Sequence, residues 1–325
     1  MNSFLSPFHN ESGPAVRLLF RTPVDIPAAP FQIQPAERVL CVGSCFADEI
    51  GRRFQDDHFP AVVNPYGVMY NPASILHSIE KLQKESPTQR SPLLPALGSA
   101  AFVATAEKEG GVSVGRGGSD EVPPPLGRGW GWAIFTLGTN HVYIERATSE
   151  IVDNCQKRPQ QLFEERCLSV DECAGYLQRC IDLLRQMNPE MHIIFTVSPI
   201  RYRKYGYHES QLSKATLLLA IEKVCETGTG LHYFPAYEIL LDELRDYRFY
   251  KPDMLHPSEQ AIDYIYRRFQ DTFFSSEARQ YVEEWRPIRE ALAHRPFQPD
   301  SPEYLAFKAK TEQRLHDFEQ KWMKG

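Results

Sequence analysis

The chain has 325 residues, 42% hydrophobic and 24% charged. That is an ordinary globular composition, and it excludes a disordered, collagen-like or coiled-coil chain. The net charge of −6 excludes a broadly basic surface and argues against a nucleic-acid partner.

No apolar run approaches the roughly 18 residues of a membrane span. The N-terminus lacks the basic and apolar regions of a secretory signal, so no membrane partner is expected. The seven cysteines include no Cys-x-x-Cys pair. They read as free thiols in a reducing cytoplasm, mostly buried, rather than as disulfides or a zinc ribbon.

Residues 1–36 hold six of the 25 prolines and little periodicity, which predicts an extended arm lying on the domain. Residues 37–42 form an apolar run fit for a buried strand that stops at Gly43. From Ser44 the pattern turns helical, with Phe46, Ile50 and Phe54 recurring every four residues. Residues 60–63 read as a second strand, running into the turn-forming Asn64-Pro65-Tyr66-Gly67. Asn71 and Pro72 open a helix as N-cap and first helical residue, with Ile75, Ile79 and Leu82 on its buried face. Residues 87–131 carry six prolines and nine of the 19 glycines. They read either as an inserted lid loop or as a disordered segment.

A third strand covers 133–137 and ends at Gly138, with 141–144 continuing as an edge strand or hairpin. Helices at 170–187, 210–226 and 257–274 then alternate with strands at 191–197 and 231–234. Two further helices, 276–294 and 302–321, have charge-mixed faces. One side of the first carries Tyr281, Trp285 and Ile288, which either pack on the domain or join a second subunit in a homo-oligomer. The alternation predicts a doubly wound parallel sheet, whose ligands bind at the C-terminal ends of the strands.

Three strand ends carry suggestive chemistry. Ser44 opens a helix at the end of the first strand, either as a plain N-cap or as a nucleophile beside the helix N-terminus. Asp253-Met254-Leu255-His256-Pro257 follows the fifth strand; a carboxylate three residues before a histidine can orient its ring, or the pair can simply cap a helix. Gly138-Thr139-Asn140 ends the third strand, where the Asn140 amide and, from the second loop, the Gly67 N–H can serve as oxyanion donors or belong to ordinary turns.

Gly43-Ser44-Cys45-Phe46-Ala47 spells the signature of the GSCFA domain family, which resembles a branch of the SGNH (GDSL-like) hydrolases. Asn64-Pro65-Tyr66-Gly67, Thr136-Leu137-Gly138-Thr139, Asn154-Cys155, Ser198-Pro199-Ile200-Arg201 and 237–257 also resemble that family. The likeness spans roughly 40–270 and not the last 55 or so residues. It implies a three-layer α/β/α sandwich with a five-stranded parallel sheet, flavodoxin-like, plus C-terminal helices. The placing of the prolines and the chain pattern further give an arm at 1–36, one catalytic domain at 37–275 and a helical extension at 276–325. The likeness also implies Ser44 as nucleophile, His256 as base and Asp253 as its orienter. The Ser44 and Gly67 N–H groups and the Asn140 side chain would be oxyanion donors, with Gly138 and Asn64 beside them.

The sequence departs from the wider superfamily in having Gly-Ser-Cys after the first strand and His141 after Asn140. Cys45 is a competing nucleophile because a helix N-terminus lowers a thiol pKa, although its side chain should point into the packing. Cys155 is a second thiol candidate, read first as packing. Arg201, Asn154 and Tyr66 are candidate substrate contacts; Arg201, with Arg203 and Lys204, either holds an anionic group or forms a solvated basic loop. Arg245 and Arg248 sit among acidic residues and read as a salt-linked segment that positions Asp253 and His256. No metal site or cofactor is expected.

The activity so implied is ester hydrolysis through an acyl-enzyme, with a small-molecule or carbohydrate ester as partner. Acyl transfer by the same triad, or a non-catalytic domain that binds a glycan or acylated ligand, are the alternatives.

Overall fold

The sheet begins with β1 (Arg38–Gly43), whose residues 39–43 are all buried. Adjacent side chains of a strand point to opposite faces, and both faces of a parallel sheet are covered. That is why the run shows no polar alternation. Val39 and Cys41 join one core and Leu40 and Val42 the other.

The computed structural model describes residues 22–85, 130–153, 158–226 and 228–322. The expectations for 1–21, for 87–129 of the insertion, and for Asn154 and Cys155 lie outside the described residues.

After β1 come α1 (Cys45–Asp56), β2 (Ala61–Val63) and α2 (Pro72–Glu85). The chain continues with β3 (Trp130–Leu137), β4 (His141–Glu145), β5 (Ile151–Val152), β6 (Phe163–Cys167) and α3 (Val170–Met187). Next are β7 (His192–Val197), α4 (Tyr207–Cys225), β8 (Leu231–Tyr233) and a short α5 (Ala236–Glu238). Three longer helices close the chain: α6 (Glu259–Phe273), α7 (Ser276–Ala293) and α8 (Pro302–Trp322).

Five strands pair in parallel in the order β2-β1-β3-β7-β8, the doubly wound sheet expected from the alternation and the flavodoxin-like form that the family resemblance implies. α2, α3 and α4 cover one face, through Ile79, Leu177 and Leu217. α1 and α6 cover the other, through Phe46, Phe54 and Phe269. The order reverses direction at β1, which has β2 on one side and β3 on the other. A crevice for ligand therefore opens beyond the ends of β1 and β3.

The segment after β3 does not extend this sheet. β4 pairs antiparallel with β5 and β6 in a separate three-stranded sheet. β3 itself starts at Trp130, three residues before the apolar run suggests, because Trp130 and Trp132 are buried there.

The described part of the arm lies on the domain. Ile33 bridges Phe274, and Arg268 and Glu243 together hold both backbone groups of Val24. α7 packs on the end of α1: Tyr281 and Trp285 donate to the carbonyls of His58 and Asp56, and Phe318 of α8 covers both rings.

Asp57, at the α1 C-cap, is buried where α1, α6 and α7 meet. It accepts from Gln270 and Arg289. Burial pushes its carboxyl up to about 6. A carboxyl with a raised folded pKa holds its proton more tightly when folded, so stability falls as pH rises between the unfolded value and about 6. A negative charge at a helix C-terminus adds to the cost. Asp57→Asn is therefore expected to raise the thermal midpoint by a few degrees at pH 8 and to lose that advantage at pH 4, as calorimetry across pH will read.

Candidate active site

The turn that ends β1 places the serine. Gly43 has φ +146, and a Cβ there would stand 2.2 Å from the Thr136 carbonyl oxygen. Only glycine lets the end of β1 lie this close to β3. The next N–H, that of Ser44, donates to the same carbonyl at 2.9 Å. Asn64, itself at φ +40, holds the turn from the other side. Its Oδ1 accepts the Gly43 N–H at 2.8 Å and its Nδ2 donates to Asp48 at 2.6 Å.

Ser44 caps α1, its Oγ accepting the Phe46 N–H at 3.3 Å. The same Oγ lies 3.1 Å from Thr136 Oγ1. The residue is 1% exposed. It borders a cavity of about 20 Å³ together with the strand-end residues Gly138, Thr139 and Ser198. That volume holds about one water molecule. Tyr70, Ile200 and Tyr202 form further parts of its wall, and Lys214 of α4 reaches it from the sheet's helical layer.

The second half of the constellation sits on the loop between β8 and α6. Asp253 Oδ1 accepts the N–H groups of Leu255 at 2.8 Å and His256 at 3.0 Å. Its Oδ2 meets His256 Nδ1 at 2.5 Å. Desolvation works against the Asp253 charge, but these backbone donors and the ring outweigh it and hold the carboxyl down to about 2. The carboxylate is thus ionised whenever the protein is folded at working pH. Both side chains are close to half exposed.

Ser44 Oγ pairs with Thr136, and His256 pairs with Asp253; no hydrogen bond joins the two pairs. A covalent neighbour links them instead. Ile200 borders the serine cavity, and the next residue, Arg201, binds the histidine loop through N–H to Leu255 O at 3.0 Å and Nη1 to Met254 O at 3.3 Å.

The other expected residues are engaged elsewhere. The Gly67 N–H donates to Asn64 O at 2.8 Å, closing its turn. The Asn140 amide donates to Leu168 O at 2.7 Å, because the β4–β6 pairing brings Leu168 beside it. Neither donor is presented to the cavity. Gly138 does line it, but its N–H and that of Thr139 both donate to Tyr70 O. The Arg201 guanidinium lies over the Tyr207 ring at 4.3 Å, and Tyr66 donates to Glu85. Lys204 bonds Tyr143 of the small sheet, not a solvated loop. Arg245 and Arg248 make the expected local pairs with Asp242 and Asp246. Cys45 is not activated: burial and Asp48 push its thiol up to about 11, against the helix N-terminus. Among the described residues no group of three His, Cys, Asp or Glu stands ready to hold a metal ion.

The structure adds Thr136, Tyr70, Tyr202 and Lys214 to the site. Lys214 carried a readable signal. Ser210, Ser213, Lys214 and Leu217 share one helical face, and a polar face turned to the core marks a buried site.

A parallel α/β domain of this order, with a capping serine at its switch point and an Asp-His pair beyond the last strand, defines the class. The sequence profile of the GSCFA family matches residues 38–109 and 126–269, and the chain belongs to that family. A second profile, the C-terminal domain of GSCFA domain proteins, matches 285–324, so the likeness extends into the tail, which the motifs of the core did not reach. No curated protein matches the sequence. Among solved structures, a Clostridium thermocellum family 3 carbohydrate esterase is 11% identical with a TM-score of 0.36, covering 79% of this chain and 99% of its own. A Corynascus thermopiles (Myceliophthora fergusii) family 2 carbohydrate esterase with its carbohydrate-binding domain is 13% identical with a TM-score of 0.39, covering 79% and 68%. The fold assignment rests on the strand order itself.

Asn64→Ala removes the acceptor of a buried N–H and the partner of Asp48. It is expected to cost about 1–3 kcal/mol, read as a lower midpoint in urea unfolding with an unchanged slope.

Proposed function

We propose that the protein is a serine-dependent esterase. The observation that carries this reading is the carboxylate of Asp253 on Nδ1 of His256. It fixes the tautomer whose Nε2 is a free acceptor. In the reaction Ser44 Oγ adds to the acyl carbonyl carbon as His256 Nε2 takes its proton. The tetrahedral intermediate collapses and the alcohol leaves with that proton. Water, activated by the same Nε2, then hydrolyses the acyl-enzyme and restores the serine. An incoming alcohol in place of water makes the step a transfer.

The cavity at Ser44 favours a small acyl group. A cavity this small, about 20 Å³, suits a short acyl group such as acetyl, carried on a small molecule or a carbohydrate. Ser44 exchanges its Thr136 partner for His256 as substrate enters; catalytic hydrogen bonds often tighten only in the substrate complex. The engagement of Ser44 Oγ with Thr136 favours a second reading, a binding domain whose serine never reacts.

A fluorophosphonate probe decides between the two. Wild type is expected to take one label, at Ser44, and Ser44→Ala none; an unlabelled wild type leaves the binding reading. Asp253→Asn is expected to keep the fold and lower kcat on p-nitrophenyl acetate by roughly 10²–10⁴, since an amide on Nδ1 favours the wrong tautomer.

A further inference from the structure

An acyl-transfer site needs donors aimed at the oxygen that becomes negative. Here several of the expected donors already have partners. The Ser44 N–H is held by Thr136 O, the Gly138 and Thr139 N–H groups by Tyr70 O, and the Asn140 amide by Leu168 O. A different donor stands at the same cavity. Lys214 is 2% exposed. Its Nζ donates to Gly138 O and Ser198 O, each at 2.8 Å. These are the carbonyls just beyond the ends of β3 and β7.

An ammonium has three N–H groups. Two are anchored by those carbonyls, and the third has no acceptor among the described residues. Lys214 also has no ion-pair partner among them. From α1 it faces the Cys45 thiol, from α5 the Tyr237 ring with Nζ 5.7 Å from the centroid, and across the cavity Tyr70 and Tyr202. Of these groups none carries a negative charge at neutral pH; burial pushes the Cys45 thiol and the Tyr70, Tyr202 and Tyr237 hydroxyls up. In its charged form Lys214 is a buried cation held at two corners, with no counter-ion among the described residues, and is arranged for an anion that forms only during reaction.

We infer that Lys214 is the oxyanion donor of this site, its third N–H holding the acyl oxygen while Ser44 forms the bond to carbon. The inference rests on the esterase reading and deepens it. The lysine gives no proton away: it donates a hydrogen bond to the carbonyl oxygen, whose negative charge returns to the carbonyl as the alcohol leaves. Burial pushes the ammonium down to about 7. A negative oxygen beside it favours the charged form, so the group gains most in the transition state.

Lys214→Met keeps the length and removes the charge and the donor. It is expected to lower kcat on p-nitrophenyl acetate by roughly 10²–10³ with a smaller change in KM. Ser44 should still take the fluorophosphonate label, only more slowly. The decisive readout is p-nitrophenyl thionoacetate, whose sulfur accepts hydrogen bonds weakly. Wild type should prefer the oxygen ester strongly, and the variant should lose most of that preference. A lysine that merely supports the fold would slow both esters equally.

If Lys214→Met is not recovered folded by circular dichroism, Lys214→Gln, which removes the charge but keeps a polar tip, carries the same comparison. The inference is overturned if the folded variant keeps kcat within about threefold of wild type, or if it slows both esters by the same factor. A wild type that takes no label at Ser44 overturns the esterase reading itself, a separate result.

Discussion

The site depends on one close approach between backbones. The end of β1 comes so near β3 that a Cβ at residue 43 would overlap the Thr136 carbonyl. Glycine removes the obstacle, and that carbonyl then takes the Ser44 N–H as its partner. The same contact brings Ser44 Oγ to Thr136 Oγ1 and starts α1 directly above the strand. Asn64 completes the hold by accepting the Gly43 N–H. The serine is placed by the tertiary structure of three strands, not by the helix it caps.

That origin explains what could be read from the residues alone. The buried strands declare themselves as apolar runs because both faces of a parallel sheet are covered. α3 is bounded as expected because Ser169 and Glu172 form a capping box at its start. The Asp253–His256 pair is local, three residues apart, and so its contact was legible too. β6 was not: Phe-Glu-Glu-Arg-Cys has one buried residue, and its strand identity comes from pairing with β4. Asn140 shows the same limit in a side chain. It stands where the motif suggests, yet the β4–β6 pairing turns its amide to Leu168.

Lys214 is legible only in part, since the pattern of its helix marks a buried polar face but not what that face meets. Nothing near it in sequence speaks of Ser44, which is far away in the chain. α4 brings it in across the ends of β3 and β7, and the two carbonyls there give an otherwise costly buried ammonium its partners. Serine and lysine thus reach one cavity from two separate crossovers of one sheet, and the Asp253–His256 loop follows its last strand. A doubly wound topology makes this possible because its loops converge at a single edge.

The tail has a role of its own in this geometry. The last turn of any α-helix leaves carbonyls without partners inside the helix. In α1 one of these, on Asp56, is taken by the Trp285 indole, and the carbonyl of His58 just beyond is taken by the Tyr281 hydroxyl. α7 therefore acts as a C-terminal cap supplied from more than two hundred residues away. α1 has 12 residues, a rod about 18 Å long, fixed at one end by the β1–β3 contact and at the other by the tail. The helix that carries Ser44 is in effect a beam clamped at both ends, and the domain cannot loosen its tail without also freeing the far end of that beam.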